Sequence, residues 1–322
     1  MKAIQITQNG GPEVLKIAEV NIGTPAADQA LVKIEAAGIN FIDVYQRRGT
    51  YPVKLPYIPG LEAAGVVEAV GSHVKNVKPG DRVAYVHEPG SYAQKCLVKA
   101  HLLIPLPPSL SFEQGAAFPL QGMTAHYLLH EFRNIQPGET VLIHAAAGGV
   151  GLLLTQWAKH LGARVLGTTS TEEKAKAVKQ AGADEVILYT EHSFVDEVKR
   201  LTNGKGVEYI IDGVGKTTFP GNLEAAALRG TIVIFGSASG PADPIAPNLL
   251  QKRSLTVSGG SLFNYLLTPA ELAMRSKAVL DGIQQGWLEL NIDQVFPLEK
   301  APEAHQKLEE RKSSGKIILT TK

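Results

Sequence analysis

Residues Thr140 to Trp157 read TVLIHAAAGGVGLLLTQW, and that stretch decides the fold. Val141, Leu142 and Ile143 form a short apolar run of β-type, small residues fill Ala145 to Gly151, and Leu152 to Ala158 continue as a largely buried helix. The order is strand, glycine turn, helix. Laid over the dinucleotide fingerprint G-x-G-x-x-G, the stretch puts Ala146, Gly148 and Gly151 at the glycine positions, so only the first departs from it. Ala146 is expected to turn the chain sharply, Gly148 to let the backbone approach a pyrophosphate, and Gly151 to let the helix pack closely on the strand. Ala147, Gly148, Gly149, Val150 and Gly151 thus form a candidate phosphate cradle, with the free N–H groups and positive end of a helix starting near Gly149 behind it. Glycine turns of this kind also occur with no ligand, so the surroundings must decide.

Downstream, apolar strands recur at Val165 to Thr168, Val186 to Tyr189, Tyr209 to Asp212, Thr231 to Phe235 and Leu255 to Gly259. Helical stretches at Gly149 to Leu161, Glu172 to Ala181 and Phe194 to Leu201 separate them. Strands apolar on both faces, alternating with helices, predict a doubly wound six-stranded parallel sheet with the glycine loop at its first βα turn. Beyond Gly260, Pro269 to Gly282 and Ala301 to Arg311 read as helices and Lys316 to Thr320 as a last strand.

Upstream, Gly and Pro interrupt short runs at Leu31 to Ile34, Ala64 to Val70, Arg82 to Val86 and Tyr92 to Val98. Their spacing predicts a compact antiparallel β-barrel, left through the proline-rich run Ile104 to Ser109, which is expected to be irregular. The expected division is 1–122 with 263–322 as the catalytic domain and 123–262 as the nucleotide domain.

The 322 residues are 44% apolar and 20% charged, with 32 Lys plus Arg against 31 Asp plus Glu. That balance gives no global field for nucleic acid or an anionic membrane. A single cysteine, Cys96, rules out an intrachain disulfide framework and a multi-cysteine zinc site, and it reads as a small buried hydrophobe. No run approaches the ~20 apolar residues that cross a bilayer, and Met1 to Ile4 opens like a strand, so a cytoplasmic location is expected.

The cofactor is read from the end of the second strand. An NAD enzyme places an acid there for the ribose hydroxyls, whereas this strand runs into Ser170, Thr171 and Lys174. Hydroxyls beside an ammonium suit a 2′-phosphate, which favours NADPH. Ser170 can alternatively cap the helix, with Glu173 completing a capping box and Lys174 in solvent. His144 is expected to be a packed, hydrogen-bonded side chain, and the pair Arg47-Arg48 to lie on a solvated loop.

The run Gly138 to Gly151, with Gln156 and Lys159, resembles the signature of the quinone oxidoreductase (zeta-crystallin) family of medium-chain dehydrogenases/reductases. So do Gly11 to Leu15, Gly38 to Asp43, Pro59 to Gly65, Pro79 to Val83 and Gly315 to Ile317, so the resemblance spans the chain. It implies a GroES-like catalytic domain, a Rossmann domain, a cleft between them and a homodimer. Zinc-containing relatives carry cysteine and histidine where this chain has Asn40 and Leu61, neither a plausible zinc ligand there, so the resemblance implies catalysis without a metal.

By similarity, Asn40, Tyr45, Tyr51 and Gln121 line the substrate pocket and Thr124 lies beside the nicotinamide. Tyr189 lies near the adenosine, Phe235, Gly236 and Ser237 face the cofactor, and Phe263 and the tail residue Lys316 return to it. The implied activity is hydride (or electron) transfer from NADPH to a quinone. The alternatives are an alkenal or enone double-bond reductase and a non-enzymatic NADPH-binding protein of crystallin or sensor type. A quinone or conjugated carbonyl accepts hydride without a Lewis acid because the charge spreads onto oxygen.

Overall fold

The structure, a computed structural model, describes residues 1–321. Its first elements are β1 (Lys2–Gln5), β2 (Lys16–Glu19), β3 (Gln29–Ile39), α1 (Phe41–Arg48), β4 (Glu62–Val70), β5 (Arg82–Val86), β6 (Lys95–Lys99), β7 (Leu103–Pro105), α2 (Phe112–Ala117) and α3 (Pro119–His130). Then come β8 (Thr140–Ile143), α4 (Gly149–His160), β9 (Arg164–Thr169), α5 (Glu172–Gln180), β10 (Glu185–Leu188), α6 (Phe194–Leu201), β11 (Val207–Asp212) and α7 (Phe219–Ala225). The chain ends with β12 (Ala226–Ile234), α8 (Asn248–Gln251), β13 (Thr256–Gly259), α9 (Pro269–Gln284), β14 (Ile292–Pro297), α10 (Ala301–Glu309) and β15 (Lys316–Thr320). These elements form two compact units, Met1–Leu120 with Leu267–Ser276 and the segment from Leu290, and Gln121–Leu266 with Lys277–Glu289.

The second unit contains the doubly wound sheet, in the order β10-β9-β8-β11-β12-β13, with every neighbouring pair parallel. Winding reverses between β8 and β11, so the loop after β8 lies at the switch point where such sheets receive ligands. Leu142, Leu166, Ile210 and Ile232 from the strands pack with Val198, Phe219 and Ala225 from α6 and α7. Each such aliphatic side chain contributes roughly 1.5–3 kcal/mol by leaving water.

In the first unit a mixed sheet runs β14-β15-β3-β4-β5-β7, with β6 also paired to β3. Only β14 and β15 are parallel neighbours; the other pairs are antiparallel. A Ser111–Gln114 capping box starts α2, which packs on β3 and β4. Val32, Ile34, Val67, Val83, Ile317 and Leu319 lie in its core.

Two expectations are corrected here. The run from Ile104 to Ser109 is not irregular throughout: Ile104 and Pro105 end β7, and Pro105 opposes Val83 of β5. A proline is tolerated there because β7 is an edge strand, whose outer side needs no N–H donor. The tail from residue 263 does not return whole to the first unit, because residues 263–266 and 277–289 pack with the second. Trp287 stacks on His160 at 4.0 Å and meets Trp157 edge-on at 5.3 Å, while Gln156 exchanges hydrogen bonds with the Glu289 backbone. Among the described residues no helix is long and apolar enough to cross a membrane.

Candidate functional site

The glycine loop of the second unit folds as its spacing predicts, with one exchange of roles. Ala145, not Ala146, makes the sharp turn: its φ is +50°, in the left-handed region. Ala146 is fully buried and its N–H donates to the Thr168 carbonyl at 3.0 Å, which pins the loop to β9. Gly148 is the extended residue before α4 (φ −73°, ψ 167°), and its carbonyl accepts the Leu152 N–H at 2.9 Å. The N–H groups of Gly149, Val150 and Gly151 are thereby left without intrahelical acceptors, an anion-binding arrangement. A Cβ on Gly151 would lie 2.5 Å from the Ala145 carbonyl oxygen and 2.7 Å from the Ala146 Cα, so the close approach of helix to turn requires glycine. A Cβ on Gly149 would strike the Gln121 carboxamide, so Gln121 lies at the start of α4 within the second unit.

Gly167 in β9 had no role in the sequence reading, yet a Cβ there would lie 2.9 Å from that of Ala146. Its position in the middle of an apolar strand was the available signal.

Most of the other candidate cofactor residues lie at or just beyond the carboxyl ends of strands in the same unit. Ser170 is not the cap of α5. Thr171 is, with its Oγ1 accepting the Lys174 N–H at 3.3 Å, because the chain stays extended one residue longer after β9. Ser170 is therefore outside the helix, and its carbonyl accepts the Thr190 hydroxyl at 2.9 Å. Tyr189 is exposed just after β10, with its N–H on the Thr169 carbonyl. Phe235 follows β12 and closes over Gly213, where a Cβ would lie 2.8 Å from the ring, and Gly236 crosses the Gly213 backbone. Ser237 continues that loop, Phe263 belongs to the short helical turn Leu262–Tyr265 after β13, and Thr124 is buried on α3.

Behind the loop lies a closed network. Asp212 Oδ1 accepts the N–H groups of Val214 and Gly215, and Oδ2 accepts Thr218 Oγ1 at 2.7 Å and Asn222 Nδ2 at 2.6 Å. Because Nδ2 of Asn222 faces a carboxylate, its Oδ1 accepts from His144 Nε2 at 2.7 Å, and His144 Nδ1 must then accept from the Thr168 hydroxyl at 3.0 Å. Burial holds the imidazole pKa below its ordinary value and so keeps it neutral. His144 is thus a packed strut.

The first unit gathers Asn40, Tyr45 and Tyr51. Asn40 precedes α1, whose first turn returns the Asp43 carboxylate to the Asn40 N–H at 2.8 Å. Tyr45 and Tyr51 meet edge-to-face at 5.2 Å, and Tyr51 is 47% exposed, a flat polar-tipped surface. The Asn40 carboxamide also has partners far away in sequence. Its Nδ2 donates to Glu62 Oε1 at 2.7 Å and its Oδ1 accepts from Lys316 Nζ at 2.8 Å.

Lys316 is 1% exposed, and its ammonium hydrogen-bonds to Glu62 and Asn40 in the first unit. Sequence reasoning missed Glu62 as the partner of Asn40 and Lys316, although a carboxylate heading the small-residue strand EAAGVVEAV was a signal.

An expectation fails at Arg47, which is no solvated loop residue but a fully buried one on α1. Its guanidinium donates to the Gly10 carbonyl, to His305 Nδ1 at 3.1 Å and to Glu309 at 2.7 Å, while Arg48 keeps to the surface on the same Glu309. The helical period of α1 puts residue 47 on the inward face with Asp43 and Val44, and residue 48 off it. Since arginine can only donate, His305 carries its proton on Nε2, which faces Tyr92 Oη at 3.1 Å, and Tyr92 donates to Asp43 Oδ2 at 2.9 Å. Cys96 is buried, and burial pushes its thiol up to about 12.

Residues 26–108 match the family described as alcohol dehydrogenase GroES-like domain, and residues 149–275 match zinc-binding dehydrogenase. The chain is 42% identical to a quinone oxidoreductase of Pseudomonas aeruginosa over 321 residues, covering 99% of both. It is 39% identical to a 2-haloacrylate reductase of a Burkholderia species, covering 98% of both. Among solved structures, Escherichia coli quinone oxidoreductase complexed with NADPH superposes with a TM-score of 0.97 at 41% identity, over 99% of this chain and 100% of that one.

Proposed function

Because the chain belongs to the quinone oxidoreductase family of medium-chain dehydrogenases/reductases, we propose that it reduces quinones with NADPH and without a metal. The observation that carries the cofactor is the end of β9, where Ser170, Thr171 and Lys174 stand in place of a ribose-binding acid beside the bare loop Ala147 to Gly151. Those residues fit a dinucleotide with a 2′-phosphate, and a relative with the same fold has been crystallised with NADPH. Thr124, Tyr189, Phe235, Gly236, Ser237 and Phe263 complete the proposed contacts. When bound, NADPH supplies one hydride, which with one proton converts quinone to hydroquinone and leaves NADP⁺. This chain's own work in the first unit is to hold the flat electrophile against Tyr45 and Tyr51 and to offer the amide donor of Asn40 to the oxygen that gains charge. Water supplies the proton.

The donor set does not fit zinc. Asn40 and Leu61 stand at the expected ligand positions, and the cation beside Glu62 is the Lys316 ammonium. Among the described residues no three His, Cys, Asp or Glu side chains are grouped to hold a metal ion. The resemblance to a 2-haloacrylate reductase favours, as a second reading, reduction of a double bond conjugated to a carbonyl.

NADPH oxidation measured with 1,4-benzoquinone, 9,10-phenanthrenequinone, an alkenal and a saturated aldehyde tests both readings. Turnover of the quinones is expected, activity confined to the alkenal selects the second, and turnover of the saturated aldehyde contradicts both. Lys174→Ala is expected to raise KM for NADPH more than about tenfold, with NADH little changed. A cytoplasmic homodimer is the proposed state, supported by a buried free Cys96 and by β13, an edge strand with one side unpaired. Sedimentation would read its mass.

A further inference from the structure

The geometry points to Glu62 and Lys316 as positioning residues that lock the Asn40 amide as a hydrogen-bond donor; this rests on the reading of Asn40 as a substrate-side group. Three neighbouring strands bring them together. In the order β15-β3-β4, Ile317 opposes Ile39 and Ala63 opposes Ala37, so positions 316, 40 and 62 fall side by side at one end of the sheet. Gly38 leaves the space they need: a Cβ there would lie 2.6 Å from Glu62 Oε1 and 2.7 Å from Lys316 Cε.

The chemistry of the two partners removes the ambiguity of an amide. An ammonium only donates and an ionised carboxylate only accepts, so Oδ1 of Asn40 must face Lys316 and Nδ2 must face Glu62. Turning the amide over would set its NH₂ against the ammonium and its oxygen against the carboxylate, in a fully buried site. Glu62 is fixed in turn, since Oε1 also takes the Lys316 ammonium and Oε2 accepts the Leu120 N–H at 2.7 Å. A buried pair of this kind adds little net stability over an apolar substitute, so its contribution lies in orientation. What it orients is the second Nδ2 hydrogen of Asn40, a donor suited to an oxygen that becomes negative as hydride arrives. An amide held the other way would favour a hydroxyl-bearing ligand. The site is therefore built for the oxidised, oxygen-acceptor form of the substrate.

A double-mutant cycle on kcat with 1,4-benzoquinone tests this. Glu62→Gln with Lys316→Met removes both charges together, so neither is orphaned, and is expected to lower kcat about 10- to 100-fold through a misplaced amide. Its Kd for NADPH, read by fluorescence, should change less than about twofold. In an Asn40→Ala background the same pair should cost less than about threefold, because the group it orients is gone. A pair variant with kcat near that of the unaltered protein, or a loss that persists in full without Asn40, overturns the inference, the latter by giving the pair a purely scaffolding role. Should the pair variant not fold, Asn40→Asp decides. It replaces the donor that faces Glu62 with an acceptor and keeps the oxygen that faces Lys316, and kcat at or below that of Asn40→Ala supports the inference while a higher kcat overturns it. If the unaltered protein turns over no quinone with NADPH, the functional reading itself falls, an outcome distinct from normal turnover with additive substitutions.

Discussion

Two buried polar networks, one in each unit, solve the same problem in different ways. In the second unit, Asp212 faces four donors from Val214, Gly215, Thr218 and Asn222, and the chain runs on through His144 to Thr168 without a gap. In the first unit, Asp43 takes the Asn40 N–H and Tyr92 Oη on one oxygen, while its buried Oδ1 has no partner. Charge follows satisfaction: burial pushes Asp43 up to about 7, and burial with the Arg47 charge pushes His305 down to about 3. A network with every lone pair used fixes geometry, whereas one with a spare oxygen shifts where its proton sits.

The largest effect is expected at Asp212. Asp212→Ala strips acceptors from two backbone N–H groups and from Thr218 and Asn222, and should cost about 3 kcal/mol or more in urea unfolding. The turn it holds, Gly213 to Gly215, lies beneath Phe235, so protection by NADPH in a thermal melt should fall as well. A loss below about 1 kcal/mol would mean that water replaces the carboxylate and that the network is not closed.

Arg47→Met acts on the other network with a smaller effect. It removes a buried guanidinium but leaves Arg48 on Glu309, so about 2 kcal/mol is expected, below the range for an orphaned buried charge. Without the arginine charge the His305 pKa should rise, visible by NMR of its ring protons. A His305 titration unmoved by the substitution would sever the proposed link between the two side chains.

The two units also differ in how much of them could be read from sequence. The nucleotide unit is legible because its determinants are local: strand, turn and helix follow within Thr140 to Trp157, and the strand order comes from alternation. What escaped there was a shift of one residue, Ala145 for Ala146 and Thr171 for Ser170, since turn and cap are set by where the strand stops. The first unit's chemistry is long-range. Asn40 meets Lys316 across 276 positions and Arg47 meets His305 across 258, so no window contains both partners. Arg47 was misread because a cation in sequence looks solvated until the fold brings up its carboxylate, here Glu309 at the end of α10.

The finest distinction between the networks lies in pH dependence, and its sign can be worked out. Asp43 has a folded pKa above its unfolded 3.8, so its contribution is fully present below 3.8 and is lost as pH rises through about 7. His305 has a folded pKa below its unfolded 6.5, so its contribution is present above 6.5 and is lost as pH falls through about 3. Between 3.8 and 6.5 the slopes oppose: the unfolded chain holds one proton on the histidine, and the folded protein holds one on the aspartate. No net proton is taken up in that window, so this pair leaves stability flat there despite two strongly shifted groups. Asp43→Asn removes one side of the balance while keeping an oxygen for Tyr92 and the Asn40 N–H. Relative to the unaltered protein, the variant should lose stability as pH falls from 6.5, by about 1.4 kcal/mol per pH unit at most. Urea unfolding of both proteins at pH 7, 6 and 5 reads the difference directly. Parallel curves would mean that Asp43 is ionised in the fold and that its spare oxygen is satisfied by water, which would make the two networks alike.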